Sequence, residues 1–246
     1  MNMDYKSIGL EENLLYEVLA TTFSIESENH FVPNTASMGI RILNNGLISM
    51  SPYPSTKTFQ NMNQMPLITL NFVDNIFLYA LTSLKGSNML YNIKGENENF
   101  YDYYQLKSLT HFKNQLKAKK LQESFSIPFI KDSWAIVISE VKMRNNRQKE
   151  DEFGMLKLTE FLLSPILIKK FRESYKLFNR AENSTLETII LATRLKVAFE
   201  VKDKKSLDQI NYKIAENVKT INRFSKNERV LRSLEYIQQY IEKFKD

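Results

Sequence analysis

Apolar residues in the first two thirds of the chain recur with the two-residue period of β-strands. The run LLYEVLATTFS at residues 14–24 predicts a strand. Residues 25–35 are rich in Ser, Glu and Asn and contain a proline, so we expect a loop there. Further strands are predicted at residues 36–43, 47–51, 66–72, 134–143 and 153–163.

The connections between these strands carry turn and helix signals. Asn44-Asn45-Gly46 is a tight-turn signal that predicts a β-hairpin, and residues 145–152 predict a polar turn. Ser55 is expected to cap a short helix over about residues 56–63, and Asp74 is expected to cap another over residues 75–84.

Residues 85–132 are polar but contain eight Phe and Tyr residues, which indicates an ordered insertion or lid, with residues 106–123 helical. After residue 166 the apolar period changes to that of helices, at residues 183–200, 205–222 and 226–244. Short loops between these segments predict a helical hairpin or small bundle. The fold class is therefore α+β, with domains at 1–165 and 166–246.

Composition excludes several classes of chemistry. The chain contains no Cys, so disulfides, thiolate catalysis and iron–sulfur clusters are excluded, and a cytoplasmic location is the simplest expectation. With two His and no clustered carboxylates, we expect no metal site. No apolar run is long enough to cross a membrane. Residues 166–246 hold 18 Lys and Arg against 11 Asp and Glu, a basic character that suits either a solvated surface or a polyanion partner.

The segment Ser55-Thr56-Lys57-Thr58 follows a strand and opens a helix. It offers three hydroxyls and one ammonium group beside the free N–H groups of a helix start, a combination that suits a phosphate. Lys57 would neutralise charge, and Ser55 and Thr58 would donate hydrogen bonds from a surface loop. An ordinary helix cap with a solvated lysine explains the same residues.

A second candidate segment contains Ser37, Met38, Gly39 and Arg41. Glycine within a strand marks either a bulge or the close approach of a ligand, and a flat ring would fit against it. Arg41 would reach a phosphate with its fork of donors, or lie exposed. Asn71 ends a strand near the same place, as a ligand contact or as a structural group. Arg180 precedes the first long helix, either at the mouth of the site or in a surface salt bridge.

These segments together resemble one family. The pattern Tyr16-Glu17-Val18 with Thr21-Thr22, then the segments at residues 34–41, 55–61 and 71–74, resembles the N-terminal region of the domain of unknown function 447 family. Residues 178–181 and 189–195 resemble its helical part. Residues 85–132 match poorly, and Ser37 stands where the family usually has Pro.

That family looks like the flavin mononucleotide (FMN)-binding split β-barrels, a group that includes flavin reductases and pyridoxamine-phosphate oxidases. The resemblance implies FMN as cofactor and a homodimer with FMN at the subunit interface. The cofactor-binding residues that it implies are Ser37, Met38, Gly39, Arg41, Ser55, Lys57, Thr58, Asn61, Asn71 and Arg180.

Three functions follow as alternatives. The first is an FMN-dependent oxidoreductase, similar to flavin reductases, acting on a small molecule. The second is a flavin-binding module without turnover. The third is a polyanion- or nucleic-acid-binding protein that uses the basic C-terminal helices, which ranks last because no basic and aromatic recognition motif accompanies the charge. Catalytic residues, substrate and electron donor are not assigned by these patterns.

Overall fold

The computed structural model describes residues 3–27, 30–84, 100–106, 125–151, 154–174, 179–225 and 227–244. Contacts divide the chain into two compact units. The first comprises Met1–Phe72 and Asn97–Glu173, and the second comprises Val73–Glu96 and Ser174–Asp246. Division into domains 1–165 and 166–246 stays a prediction, because contact density does not test independent folding.

The strands of the described residues all belong to the first unit. They are β1 (Leu15–Ser27), β2 (His30–Ile42), β3 (Ile48–Met50), β4 (Leu67–Phe72), β5 (Tyr101–Leu106), β6 (Phe125–Ile130), β7 (Ala135–Asp151) and β8 (Gly154–Lys170). Six of them close an antiparallel barrel in the order β1-β2-β3-β8-β7-β4, and β5 and β6 form a separate two-stranded sheet. A barrel of this kind confirms the predicted α+β split-barrel class.

Helices divide between the two units. They are α1 (Lys57–Gln64), α2 (Ile76–Ser83), α3 (Arg180–Glu200), α4 (Lys204–Phe224) and α5 (Glu228–Ile241). Of these five helices, α1 belongs to the barrel unit and the other four belong to the second unit. In the parts of the chain that the structure covers, no helix is long and apolar enough to cross a membrane.

Side chains alternate between the inside and the outside of the barrel wall. Val18 and Ala20 of β1 and Ile40 and Ile42 of β2 lie in the buried cluster that fills the barrel. By the same alternation, odd-numbered residues of these two strands point outward. Met62 of α1 joins the interior cluster, so α1 packs against the barrel core.

The β5–β6 sheet covers part of the outside of the barrel. Ile127 and Phe129 of β6 pack in a second buried cluster with Phe23, Leu67 and other outward-facing residues of the wall. The Thr69 hydroxyl donates a hydrogen bond to the Pro128 carbonyl at 2.9 Å. The sheet is therefore fixed to the wall by apolar packing and by polar contacts.

The helical unit has an apolar core of its own. Leu195 of α3, Ile214 of α4 and Ile237 of α5 are buried, at the spacing that the sequence predicts. Polar side chains begin the long helices: Asn179, Asp203 and Asn227 accept hydrogen bonds from N–H groups of the first turn. The predicted helical bundle is confirmed.

Two predicted connections are wrong because strands continue through them. β2 begins at His30, within the predicted loop at residues 25–35, and Pro33 pairs with Phe23 of β1. Among the described residues β2 pairs with β3 only at Ile40–Ile42, so the edge of β2 beside Pro33 needs no N–H donor. The predicted polar turn at residues 145–152 is also strand as far as Asp151, because β7 and β8 pair along their whole length.

Two predicted helix caps are each wrong by one residue. Helix α1 is capped by Thr56 instead of Ser55, since the Thr56 hydroxyl accepts from the Phe59 N–H at 3.2 Å. Helix α2 is capped by Asn75 instead of Asp74, whose carboxylate accepts from the Ser174 hydroxyl at 3.2 Å. In both pairs the second residue lies one position closer to the helix, within reach of its free N–H groups.

Most of the predicted insertion at residues 85–132 lies outside the described residues, including nearly all of the predicted helix at 106–123. Its described part forms the hairpin sheet of β5 and β6, which the sequence did not predict as strands. The turn after β2 is confirmed: Gly46 has φ of 76° and its N–H donates to the Leu43 carbonyl.

Candidate functional site

The first turn of α1 presents unused hydrogen-bond donors. Thr56, the cap residue, satisfies the N–H of Phe59 and donates its own hydroxyl to the Tyr53 carbonyl at 2.7 Å. Within the described residues the N–H groups of Lys57 and Thr58 have no acceptor, as expected at the start of a helix. Two backbone donors and the positive end of the helix dipole therefore face the same side.

Charged and polar side chains surround these donors. Lys57 is the first residue of α1 and is exposed, and Ser55 is exposed in the preceding turn. Neither side chain makes a hydrogen bond or ion pair to any other described residue. One ammonium group, one hydroxyl and two N–H groups form a donor set that fits a phosphate and contains no acid to repel it.

One edge of β2 is open next to this helix start. In the described part of the chain, β2 has β3 as a neighbour only from Ile40 onward, so its N–H and C=O groups before that residue face no strand on this side. The connection at residues 51–56 leaves β3 opposite Ile40 and ends at α1. This topology leaves backbone donors and acceptors of β2 without a strand partner along the edge beside α1.

A hydrogen bond joins the two predicted segments. The Asn34 amide of β2 donates to the Thr58 hydroxyl of α1 at 3.2 Å. The helix start and the open edge of β2 are therefore neighbours in one unit. Asn34 belonged to the sequence pattern but was missed as a site residue, because its role depends on where α1 packs.

Ser37, Gly39 and Arg41 lie further along β2 on its outer face, whereas the side chain of Asn34 points to the inner face. Ser37 and Gly39 are partly exposed and have small side chains, whereas Arg41 is exposed and has no ion-pair partner among the described residues. Met38 points the other way and packs on the barrel core. The outer face therefore presents small residues, bordered by Glu17 and Leu15 of β1, with an arginine at its far end.

Thr58 and Asn61 are buried, which corrects the expectation that the whole phosphate loop lies on the surface. Each is 1% exposed. Asn61 donates from its amide to the Thr22 hydroxyl at 3.2 Å, and its carbonyl oxygen is buried with no partner in the described residues. Thr58 and Asn61 fix α1 on β1 and β2, and their contact with a cofactor stays a prediction.

Asn71 lies under the β5–β6 sheet and uses both ends of its amide. Its nitrogen donates to the Leu19 carbonyl at 2.7 Å and to the Thr21 hydroxyl at 2.9 Å. Its oxygen accepts from the Ile130 N–H at 2.8 Å. The side chain is fully buried, so these bonds define a structural role, and a role in cofactor binding remains untested.

Arg180 belongs to the helical unit. It is the first residue of α3, and its guanidinium carbon lies 4.9 Å from the centre of the Phe224 ring, a cation–π contact. Its predicted place at the mouth of the site stays a prediction.

No metal centre accompanies these groups: the described residues contain no cluster of three or more His, Asp or Glu side chains. The described residues provide hydrogen-bond donors at the start of α1, the open edge of β2 and the outer face of β2. By its chemistry, such a set of groups suits a phosphorylated ring compound.

A comparison with known families gives a decisive match. The family described as "Protein of unknown function (DUF447) N-terminal domain" matches residues 16–161, more than half of the chain. The chain belongs to this family. The resemblance recognised from residues 16–18, 34–41, 55–61 and 71–74 is thereby confirmed.

A solved structure from the same family shows the same fold. The FMN-bound protein MM1853 from Methanosarcina mazei, of the same family, is 17% identical, with a TM-score of 0.66 over 96% of this chain and 100% of that chain. A flavin reductase domain protein from Arthrobacter sp. FB24 is 10% identical, with a TM-score of 0.41 over 64% of this chain and 78% of that one. The latter likeness is too distant to support an inference. No curated protein matches the chain.

Proposed function

We propose that this chain binds FMN, with the phosphate at the start of α1 and the ring along β2. The observation that carries the proposal is the pair of free N–H groups at Lys57 and Thr58, next to the Lys57 ammonium group and beside the open edge of β2. MM1853, which shares the fold and the family, is an FMN-bound protein.

The spacing along β2 supports this orientation. Asn34 contacts the helix start, and a strand rises about 3.3 Å per residue, so Ser37 lies about 10 Å and Gly39 about 17 Å further along. This interval suits a phosphorylated ribityl chain followed by a three-ring system. The side chains of Glu17 and Leu15 border Gly39 on this face, so the ring would lie against them, and its polar edge can pair with backbone groups of the open edge of β2.

A titration with two ligands tests the phosphate assignment. FMN and riboflavin share the ring, but only FMN carries the phosphate. We expect Lys57→Ala to weaken FMN binding by about 10- to 100-fold, the value of one charge-assisted hydrogen bond, and to leave riboflavin affinity unchanged. Flavin fluorescence quenching measures both affinities.

Lys131→Ala, which removes an exposed lysine of the same unit, is the control and should change neither affinity. If Lys57→Ala retains FMN at wild-type affinity, the phosphate does not lie at α1. A wild-type protein that binds neither flavin rejects the proposed function as a whole.

We further propose that the bound flavin takes part in an oxidoreductase reaction with a small-molecule substrate. FMN would supply the redox chemistry, and the chain would bind it, orient it and limit its access to water. Anaerobic mixing with NADH, NADPH or a deazaflavin donor tests this step. Bleaching of the flavin absorbance by one donor supports an oxidoreductase, and failure of every donor favours a flavin-binding module without turnover.

A further inference from the structure

Glu17 lies on the outer face of β1, directly opposite Gly39 of β2 in the strand register. It is half-buried, and the Ser37 hydroxyl donates to its Oε2 at 3.4 Å, a long hydrogen bond. The carboxylate thus extends from β1 across to β2, toward the two residues that form the proposed ring surface.

Gly39 shows how closely the carboxylate lies to the strand. A Cβ atom added at Gly39 would stand 3.3 Å from the Glu17 Oε1 and 3.3 Å from the Leu15 Cδ1. Both contacts are tighter than ordinary van der Waals distances, so a side chain at residue 39 would need the Glu17 or Leu15 side chain to shift slightly. The absence of a side chain at Gly39 therefore lets the Glu17 carboxylate lie close to β2 at the ring end of the site.

We propose that Glu17 contacts the polar edge of the flavin ring and makes the site prefer oxidised FMN over reduced FMN. This inference rests on the proposed function. An ionised carboxylate only accepts hydrogen bonds, and the flavin imide N–H is a donor that it can bind. The negative charge of the carboxylate also repels the negative charge that the ring gains on reduction.

The sign of the redox effect follows from that charge. Uptake of two electrons and one proton gives the ring one extra negative charge near neutral pH. A carboxylate at short range repels this charge, and the repulsion is strong in a partly buried site because water screens it less. Glu17 therefore weakens the binding of reduced FMN relative to that of oxidised FMN.

The substitution Glu17→Gln removes the charge and keeps the shape. We expect the ratio of affinities for reduced over oxidised FMN to rise on the order of tenfold, which corresponds to an increase of about 30 mV in the two-electron midpoint potential. Reductive titration with dithionite and a reference dye measures the potential of the bound flavin. Riboflavin should show the same shift, because the effect belongs to the ring and not to the phosphate.

Two further variants make the result specific. Glu17→Asp keeps the charge and should leave the ratio within about threefold of wild type. Glu173→Gln removes an exposed carboxylate of the same unit, paired with Lys170 at 2.6 Å, and should leave it unchanged. Thermal unfolding verifies that each variant is folded.

The outcomes separate this inference from the proposed function. A wild-type protein that binds no flavin overturns both. Wild-type binding with an unchanged ratio in Glu17→Gln overturns the role of Glu17 alone. An equal shift in Glu17→Asp and Glu17→Gln also overturns it, because charge would then not be the cause.

Discussion

Asn71 shows how much one buried amide can hold together. Its nitrogen and oxygen together bond two residues of β1, a neighbouring carbonyl of β4 and the N–H of Ile130 in β6. The assignment of the two amide ends is secure on chemical grounds, since one end meets carbonyl oxygens and the other meets an N–H. Its loss would leave several buried groups without partners.

We predict that Asn71→Leu, of similar size, lowers the free energy of unfolding by about 3 kcal/mol or more, because each orphaned buried group costs about 1–3 kcal/mol. Asn63→Ala is the matched control, since Asn63 is exposed and bonds only the Phe59 carbonyl, and it should change stability by about 0.5 kcal/mol or less. Urea unfolding measures both. A loss of FMN binding in Asn71→Leu at unchanged stability would instead assign this residue to the cofactor.

At the scale of elements, the β5–β6 sheet is held to the barrel by a buried tyrosine. The Tyr101 hydroxyl lies 3.0 Å from the Thr35 hydroxyl, which in turn lies 2.7 Å from that of Thr21. Burial raises the pKa of Tyr101 to about 12, while the Thr35 hydrogen bond acts in the opposite direction. The sheet is thus anchored by a group that must stay protonated.

This raised pKa predicts a loss of stability at high pH. The unfolded chain releases the Tyr101 proton near pH 10, and the folded protein holds it to about pH 12, so the contribution is complete below pH 10 and is lost as the pH rises through 12. Tyr101→Phe should lower stability by about 1 kcal/mol at pH 8, through the lost Thr35 hydrogen bond. The difference from wild type should shrink above pH 10 and reverse its sign before pH 12, because raising the pKa from 10.0 to about 12 corresponds to about 2.7 kcal/mol.

Urea unfolding midpoints of the two proteins at pH 8, 10 and 11 measure that difference. Comparing the proteins at each pH cancels the titration of Tyr5 and Tyr240, whose pKa values burial also raises to about 12. If the difference stays constant up to pH 11, the pKa of Tyr101 is not raised in the folded protein.

Some features of the fold could be predicted from local sequence signals and others could not. The Asn45-Gly46 turn and the long helices are encoded by local signals, a positive φ and a helical apolar period, and both are confirmed. β5 and the far end of β7 are rich in polar residues and β6 contains Pro128, so their pairing depends on a partner strand instead of an apolar period. No local pattern distinguishes such strands from loops.

The residues of the candidate site also include some that local sequence signals predict and some that they do not. Lys57 and Ser55 are recognisable because a phosphate needs donors near a helix start, and those residue types are adjacent in the chain. Asn34 and Glu17 acquire their positions through the register of β1 with β2 and through the packing of α1. Long-range pairing of this kind is not visible in spacing along the sequence.

At the scale of the whole molecule, apolar side chains are exposed beside the proposed flavin surface. Leu15 is 64% exposed and pairs with Arg41 in the strand register, and Leu14 is 50% exposed. The Leu15 Cδ1 atom also lies 3.3 Å from the position that a Cβ atom on Gly39 would occupy. Large apolar residues next to a binding site suit an interface, and on this ground we propose the homodimer with FMN between its subunits that the family resemblance implies.

We predict that Leu15→Glu shifts the protein from dimer to monomer, because a charge introduced into an apolar interface must be desolvated without a partner. Sedimentation velocity measures the shift. Val201→Glu is the matched control, since Val201 is 68% exposed but belongs to the helical unit, and it should leave the dimer intact.

If the two subunits share the flavin, Leu15→Glu should also weaken the binding of FMN and of riboflavin equally, since the phosphate end at Lys57 is untouched. A dimer that dissociates with no loss of flavin affinity would mean that each subunit holds its cofactor alone, and a monomeric wild-type protein would reject the shared site outright.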